Sequence, residues 1–440
     1  MTGPLPGRRR VAIVAGVRTP FAKAGTLFKT LSAIDLGRLC VAELLQRTAL
    51  DGSEVQALVF GTVVPDVRAP NIAREVALMP LLPKGVDAWS VSRACASASQ
   101  AIADAADQIA LGHIDCAIAG GAESLSNPPI LHSRAFADVL LQVNKARSIG
   151  QKLEAFAKVR IGQKLEAFAK VRPRDLVPVA PAIAEPTTGE TMGQSAEKMA
   201  KLNGISRAEQ DEFALRSHRL AAAGTRDGRL AAEMFPVYVP PKYAQVATAD
   251  NGIREDTSLE QMAALKPVFD KRYGSVTAGN ASPLTDGAAA VLLMAEEKAH
   301  ALGYQPIGFL RSYAAAALDP GEQLLQAPVL AAPIALRRAG LALADLDLVE
   351  MHEAFAAQVL SNLRGFESPV WAERAGLARP LGAVDRAKLN VMGGSIAIGH
   401  PFGATGARIL ITLCHELGRR GGQFGMLTVC AAGGLGFAMV

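Results

Sequence analysis

Residues 92–102, "SRACASASQAI", set Cys95 among small residues just ahead of a helical pattern, and residues 393–408, "GGSIAIGHPFGATGAR", set His400 in a Gly-rich turn ahead of another. These two stretches decide the fold because their surroundings match. Before the first come the strand-like "VAIVAG" from Val11, the helical "DLGRLCVAELLQRTAL" from Asp35 and the strand-like "ALVFGTVV" from Ala57. After it come a helix predicted from Gln100 to about Leu111 and the strand "CAIAGGAES" from Cys116. The second stretch has the same company: "IGFLRSYA" from Ile307, the helix "PVLAAPIALRRAG" from Pro328 and the strand "LDLVEMHEAF" from Leu346 precede it. The helix "ARILITLCHELGRR" from Ala407 and the strand "GMLTVCAAGGLGFAMV" from Gly425 follow. Strands alternating with helical periods at this spacing indicate parallel βαβ units. The order occurs twice, so the chain reads as a duplicated α/β domain with the Cys95 and His400 turns at equivalent strand-to-helix corners. Ligands collect beyond strand ends, where helix N-termini and Gly-rich backbone offer free N–H groups, so facing halves can pool their corners into one site.

With 440 residues the chain exceeds one hydrophobic core. Half its residues are apolar and few are aromatic, as in a well-packed α/β protein. No apolar run is long enough to cross a bilayer, and "VAIVAG" behind "GRRR" is too short for a signal peptide, so a cytoplasmic protein is expected. Cys40, Cys95, Cys116, Cys414 and Cys430 form no CxxC pair and are odd in number, which argues against a disulfide framework and a structural zinc site. The net charge of +5 is local: Pro128 to Asp175 holds ten Lys/Arg and four Asp/Glu, a net +6, leaving −1 elsewhere. No nucleic-acid partner is expected.

The alternation is interrupted from 128 to 273 by Pro-rich, basic and helical material, read as an inserted loop domain; "AAAVLLMAE" then returns to the first half. The core halves are 1–127 with 274–299, and 300–440. Within the insert "IGQKLEAFAKVR" occurs twice in tandem, at 149–160 and 161–172. Each copy is amphipathic, with Ile149, Leu153 and Phe156 on one helical face. A 12-residue shift at ~100° per residue turns the second stripe by about 120°, so a break near Gly162 is expected. A basic amphipathic pair in the 145–174 segment suits peripheral membrane contact or a partner protein; a duplication tolerated in a surface loop is the plainer alternative.

Four corners can carry chemistry. Cys95 at a helix N-terminus among small neighbours is a candidate nucleophile, since a helix N-terminus favours the thiolate. His400 suits base duty near neutral pH. Cys430 ends a buried strand before small residues whose N–H groups can converge on an anion. His352 and Glu353 in "MHEAF" stand where a strand gives way to a helix. Taken singly, each also reads as packing: a buried small thiol, a turn histidine, strand filler, a capping residue. No two of the cysteines and histidines have metal-ligand spacing, so no metal is expected.

These motifs, with "VAIVAGVRTPF", "GGAESLS", "GETMGQSAE", "EQDEFALRSH", "VTAGNASPLTDGAAA" and "CAAGGLG", resemble the thiolase family along nearly the whole chain, most closely the degradative 3-ketoacyl-CoA branch that includes the trifunctional-complex β-subunits. The resemblance implies a thiolase-like fold: two duplicated βαβαβαββ halves in a layered α/β/α/β/α core with an inserted loop domain. It implies that Cys95 is the acylated nucleophile, His400 its activating base and a holder of a thioester oxygen, and Cys430 the acid/base at the α-carbon. His352 stands where many thiolases carry the asparagine of "NEAF". The backbone N–H groups of Cys95 and Ala432 would form an oxyanion hole; Ala432 replaces the first glycine of the commoner "CxGGG". Met192, Ala278, Ser282 and Phe355 would line the coenzyme A site. Coenzyme A is then a substrate rather than a resident cofactor. The resemblance further implies a homodimer or higher assembly and, in this branch, a hydratase/dehydrogenase α-subunit partner. A biosynthetic acetyl-CoA acetyltransferase shares these residues. A β-ketoacyl synthase uses Cys/His/His, against which Cys430 speaks, and a noncatalytic lipid- or CoA-binding protein would not need Cys95, His400 and Cys430 together.

Overall fold

The computed structural model describes residues 9–131, 134, 136, 137, 141 and 184–440. The chain divides into one compact unit of Met1–Asn127 with Ala184–Val440, and a second of Pro128–Ile183. The tandem repeat and the whole of the basic 145–174 segment lie outside the described residues.

The first unit holds two main sheets. One contains β1 (Val11–Arg18), β2 (Ala22–Lys23), β3 (Ala57–Gly61), β4 (Asp87–Val91), β5 (Cys116–Glu123), β8 (Thr285–Ala295) and β9 (Gly308–Leu310), in the order β4-β3-β5-β8-β1-β9 with β2 beside β8. β3 runs parallel to β4 and β5, whereas β8 is antiparallel to β1 and β5. β6 (Val237–Val239) and β7 (Gln245–Ala247) make a separate hairpin. The other main sheet is β10 (Tyr313–Ala317), β13 (Leu435–Met439), β12 (Gly425–Ala431) and β11 (Leu348–Met351), in that order.

Helices α1 (Ala33–Thr48), α2 (Ser97–Ala110), α3 (Met192–Leu202), α4 (Arg207–Arg226), α5 (Pro328–Ala339), α6 (Ala356–Phe366) and α7 (Thr405–Arg420) complete the layers. Strand periodicity dictates them. Along β8, Ala289, Val291 and Leu293 face a central core with Ile102 and Ala105 of α2, Ile411 of α7 and Val429 of β12; the alternate Ala290, Leu292 and Met294 face a core with Leu36, Val41 and Leu44 of α1. The outer face of the second sheet packs Val349, Met351 and Cys430 against α5 and α6. The succession is therefore α1, sheet, α2 with α7, sheet, α5 with α6: the five-layer α/β/α/β/α core that the family resemblance implies. Because α2 and α7 are buried between sheets, α2 is built almost wholly of Ala, Ser and Ile on its covered faces.

Some elements differ from the pattern reading. An unpredicted edge strand, β4, feeds the Cys95 corner, and α2 begins at Ser97 rather than Gln100, because Ser97 and Ser99 are buried with the helix instead of exposed ahead of it. "IGFLRSYA" is divided: β9 joins the first sheet and β10 the second. "GMLTVCAAGGLGFAMV" is a hairpin, β12 to β13, because Gly433 and Gly434 adopt φ of 84° and 68°, the left-handed turn that glycine permits. Among the described residues no helix is long and apolar enough to cross a membrane.

Candidate active site

Cys95 sits two residues ahead of α2 in a turn drawn tight by Ser97, whose Oγ accepts from the Arg93 N–H at 2.8 Å and donates to the Ala94 carbonyl at 2.6 Å. Ala94 is held at φ 44°, a left-handed conformation a side chain resists. The strained stub leaves the sulfur partly open. Desolvation by the surrounding protein nonetheless pushes the thiol up to about 12, and the backbone N–H groups of Ala432 and of Cys95 itself, which favour the thiolate, only partly oppose it. The helix N-terminus alone would lower this thiol. Burial outweighs it, so the resting sulfur is a thiol that needs a base.

The base is in reach. His400 Nε2 lies 3.2 Å from Cys95 Sγ, and Nδ1 lies 2.6 Å from Thr405 Oγ1. Thr405 gives its hydroxyl hydrogen to the Pro401 carbonyl at 2.9 Å, so its oxygen accepts from His400 Nδ1–H and leaves the Nε2 lone pair facing the thiol. Burial, aided by the positive charge of Arg408, lowers His400 to about 3 and keeps it neutral. Two close approaches allow this meeting. A Cβ on Gly406 would collide with Ser99 at the start of α2, and one on Gly121 would collide with the Gly403 carbonyl.

His352 follows β11. Its ring centre is 4.1 Å from that of His400, its Nδ1 is 3.0 Å from Ser395 Oγ, and its buried Nε2 has no protein partner. Burial first, then His400 and Arg408, holds it well below the usual imidazole range. Cys430 is buried near the end of β12. Desolvation raises its thiol well above the usual range, and the proximity of Cys95 raises it further. Beyond it the Gly433 N–H donates to Glu185 Oε2 at 2.8 Å, so the 184–191 loop steadies the turn that carries Ala432. All four predicted reactive side chains and Ala432 thus meet at one place.

The predicted coenzyme A residues also lie together. Ala281 bridges Phe355, and the Ser282 N–H donates to the Ala354 carbonyl at 2.9 Å. Ala278 is exposed on the same stretch. Met192 opens α3 and is partly buried on the same core cluster as Phe355 and Phe269, the last two rings meeting edge to face at 6.2 Å.

Apart from Glu353, already marked in "MHEAF", several supporting residues have no local sequence signal. Glu353, buried behind His352, accepts from Ser217 Oγ at 2.6 Å and Asn390 Nδ2 at 2.7 Å, tying β11 to α4 and the His400 loop. Glu123 accepts from Thr62, Val63, Val64 and Gly403 across the two halves, while burial raises it to about 7. Phe269, Glu185, Ser395 and Arg408 complete the set; the terminal arginine of "GATGAR" is the one hint, as a cation in an otherwise apolar helix face. Among the described residues, Cys95, His352 and His400 offer ligand atoms within 4.8 Å of one another, a cluster that local spacing concealed and that could hold a soft cation.

A partly open thiol beside a neutral imidazole with a lone pair, a second thiol and backbone donors at the same sulfur is a constellation for acyl transfer through a thioester. Comparison with known proteins agrees. The family models for the thiolase N-terminal and C-terminal domains match residues 11–297 and 304–440. Proteins described as 3-ketoacyl-CoA thiolase from Yersinia pestis (strain Pestoides F) and Yersinia pseudotuberculosis serotype O:1b (strain IP 31758) are each 52% identical over 432 residues, covering 98% of this chain and 96% of the relative. Among solved structures, the Bacillus anthracis acetyl-CoA acetyltransferase matches at a TM-score of 0.82 and 32% identity, over 99% of each chain.

Proposed function

The chain belongs to the thiolase family, and from that premise we propose that it is a 3-ketoacyl-CoA thiolase, cleaving 3-ketoacyl-CoA with coenzyme A to acetyl-CoA and a shortened acyl-CoA in fatty-acid β-oxidation. The observation that carries this reading is the 3.2 Å approach of His400 Nε2 to Cys95 Sγ with Cys430 beside the same sulfur.

His400 takes the Cys95 proton as the sulfur attacks the C3 ketone. The N–H groups of Cys95 and Ala432 hold the resulting oxyanion. The C2–C3 bond then breaks, its electron pair passing to C2 and the thioester oxygen of the departing acetyl-CoA, which His352 and His400 hold. Cys430 gives its proton to C2, and the acyl group stays on Cys95 as a thioester. The Cys430 thiolate takes the proton of an incoming coenzyme A thiol; that sulfur attacks the thioester, and the Cys95 sulfur leaves and regains its proton. Two thiols are needed because one sulfur is occupied by the acyl group while a proton moves at carbon. Fixed donors at each oxyanion commonly contribute about 10²–10³ in rate. Coenzyme A is a substrate in this scheme and no resident cofactor takes part; Met192, Ala278, Ser282 and Phe355 are its contacts.

The same reading includes a core of 1–127 with 274–299, an inserted loop domain of 128–273 and a second half of 300–440, supported by the return of β8 to the first sheet. It also includes a cytoplasmic location, a homodimer or higher assembly, a hydratase/dehydrogenase α-subunit as partner and peripheral membrane contact through 145–174. A biosynthetic acetyl-CoA acetyltransferase is the second reading, favoured by the likeness to the Bacillus anthracis protein. Mass spectrometry of the protein mixed with a 3-ketoacyl-CoA tests the first: an acyl adduct on Cys95 and turnover of medium or long chains are expected. Turnover confined to acetoacetyl-CoA would select the second reading, and no adduct would reject both.

A further inference from the structure

The proposed reaction asks opposite things of two imidazoles. His400 must take a proton, and His352 must offer one to a thioester oxygen. A neutral imidazole carries a single N–H, so the nitrogen that holds it decides the role. Thr405 settles His400 by accepting from Nδ1–H.

His352 is settled from the other side. Ser395 Oγ lies 3.0 Å from His352 Nδ1 and 3.2 Å from Nη2 of Arg408. A guanidinium only donates, so Arg408 occupies a lone pair of the serine oxygen. Ser395 is fully buried, and among the described residues His352 Nδ1 is the one acceptor found for its hydroxyl hydrogen. Were Nδ1 to carry the hydrogen instead, the serine O–H would be stranded, and a buried donor without an acceptor loses the full cost of its desolvation. The arrangement that satisfies the serine has Ser395 O–H donating to Nδ1, which leaves the hydrogen on Nε2. That nitrogen is buried and unpartnered.

Arg408 makes sense on the same terms. It is buried in the middle of the five layers, its Nε and Nη1 have no hydrogen-bond partner, and its ion pair with Glu350 is a loose 3.9 Å. An apolar residue would fill such a place at lower cost. The guanidinium instead takes one of the serine's two lone pairs, leaving its hydroxyl hydrogen to seek an acceptor, and its charge disfavours protonation of both rings.

We infer that Ser395 and Arg408 are positioning residues that fix His352 as the Nε2–H tautomer, a hydrogen-bond donor to the substrate's thioester oxygen, opposite to the tautomer that Thr405 imposes on His400. The inference rests on the role given to His352 in the proposed reaction. It also bears on the metal-like cluster, since His352 Nε2 then carries a hydrogen and has no lone pair to offer a cation.

The chain's seven histidines permit selective ¹⁵N labelling of the full-length protein, with His352→Asn and His400→Asn assigning the two rings. The expected spectrum has a protonated, pyrrole-type Nε2 and a bare Nδ1 for His352, and the reverse for His400. Ser395→Ala is expected to scramble the His352 pattern and to lower kcat toward the roughly 10²-fold loss seen when one oxyanion donor is removed, with KM little changed. Ser395→Thr, which keeps a hydroxyl, is expected to restore both. A wild-type His352 protonated at Nδ1, or a Ser395→Ala protein with the wild-type pattern and kcat, overturns the inference. A purely structural serine would change melting temperature without moving the ¹⁵N pattern. Should Ser395→Ala fail to fold, the wild-type spectrum still decides. If wild-type Cys95 acquires no acyl group while the two tautomers are opposed, the proposed reaction fails and the tautomer assignment stands. An acylated Cys95 with His352 protonated at Nδ1 overturns the tautomer assignment and leaves the reaction standing.

Discussion

The Cys95 and His400 corners occupy equivalent places ahead of the two central helices, and they are built in opposite ways. The first is short: a strained Ala94, a serine clamp and the sulfur. The second is a long Gly-rich loop from Asn390 to Thr405 tied from several sides, by Glu353 behind it, Glu123 across the halves and Thr405 within it. A nucleophile has one reacting atom, which a tight stub can present. A base has two nitrogens with different duties, and its orientation requires partners on the far side of the ring. Duplication supplied the same scaffold twice; the chemistry asked of each copy explains why the loops diverged.

The largest effect comes from breaking the first corner. Cys95→Ser should abolish the acyl adduct and lower turnover by about 10⁴-fold or more, by analogy with losing any nucleophile of a concerted set; thiolysis near the wild-type rate would assign the nucleophile elsewhere. Next is Cys430→Ala, expected to stop carbon–carbon cleavage while Cys95 still accepts an acyl group from a simple acyl-CoA, as mass spectrometry and a thiolysis assay run together would reveal. Equal loss of both would contradict the division of labour. Thr405→Val breaks the second corner. It removes the acceptor of His400 Nδ1–H and should lower kcat roughly 10²–10⁴-fold with the loop otherwise in place. A rate within a few-fold of wild type would mean that the loop backbone alone orients the ring.

Smaller effects sharpen the comparison. Gly406→Ala wedges a methyl between α7 and Ser99 and should destabilise the protein by about 1–3 kcal/mol, measured by denaturant midpoint; no change would mean that the two corners meet with room to spare. The smallest effect is one of pH. His400 is held at about 3 when folded, against ~6.5 in an unfolded chain. Below about 6.5 the unfolded state binds the extra proton, so the stabilising contribution of this group is present above that pH and is lost as pH falls toward 3. The unfolding free energy of wild type relative to His400→Asn, from denaturant titrations, should be flat above pH 7 and move against wild type in acid, by less than about 1 kcal/mol between pH 7 and 6. A difference independent of pH down to 4 would contradict the depressed imidazole.

The duplicated α/β order and the four reactive corners were legible because they depend on local pattern: period-two strands, glycine where a turn must tighten, and a histidine or cysteine at a strand end; the five layers followed only from the family resemblance. What could not be read depends on burial by distant chain. The Cys95 thiol is raised rather than lowered because sheets and helices from both halves desolvate it. Edge strand β4 carries no clear alternation, since it is partly exposed throughout. The turn inside the last hairpin hid in a run of alanines and glycines that suits a strand equally well. Glu123, Ser395 and Arg408 look like ordinary surface or helix residues until their partners, between 13 and 280 positions away, are known.

That separation has a biosynthetic meaning. Cys95 and the imidazole that arms it are 305 positions apart, and β1 pairs with a strand more than 270 positions downstream. A ribosome delivers the sulfur long before anything that can activate it, so a growing chain carries a dormant thiol. Activation waits until the second half has been made and both sheets close over the middle helices.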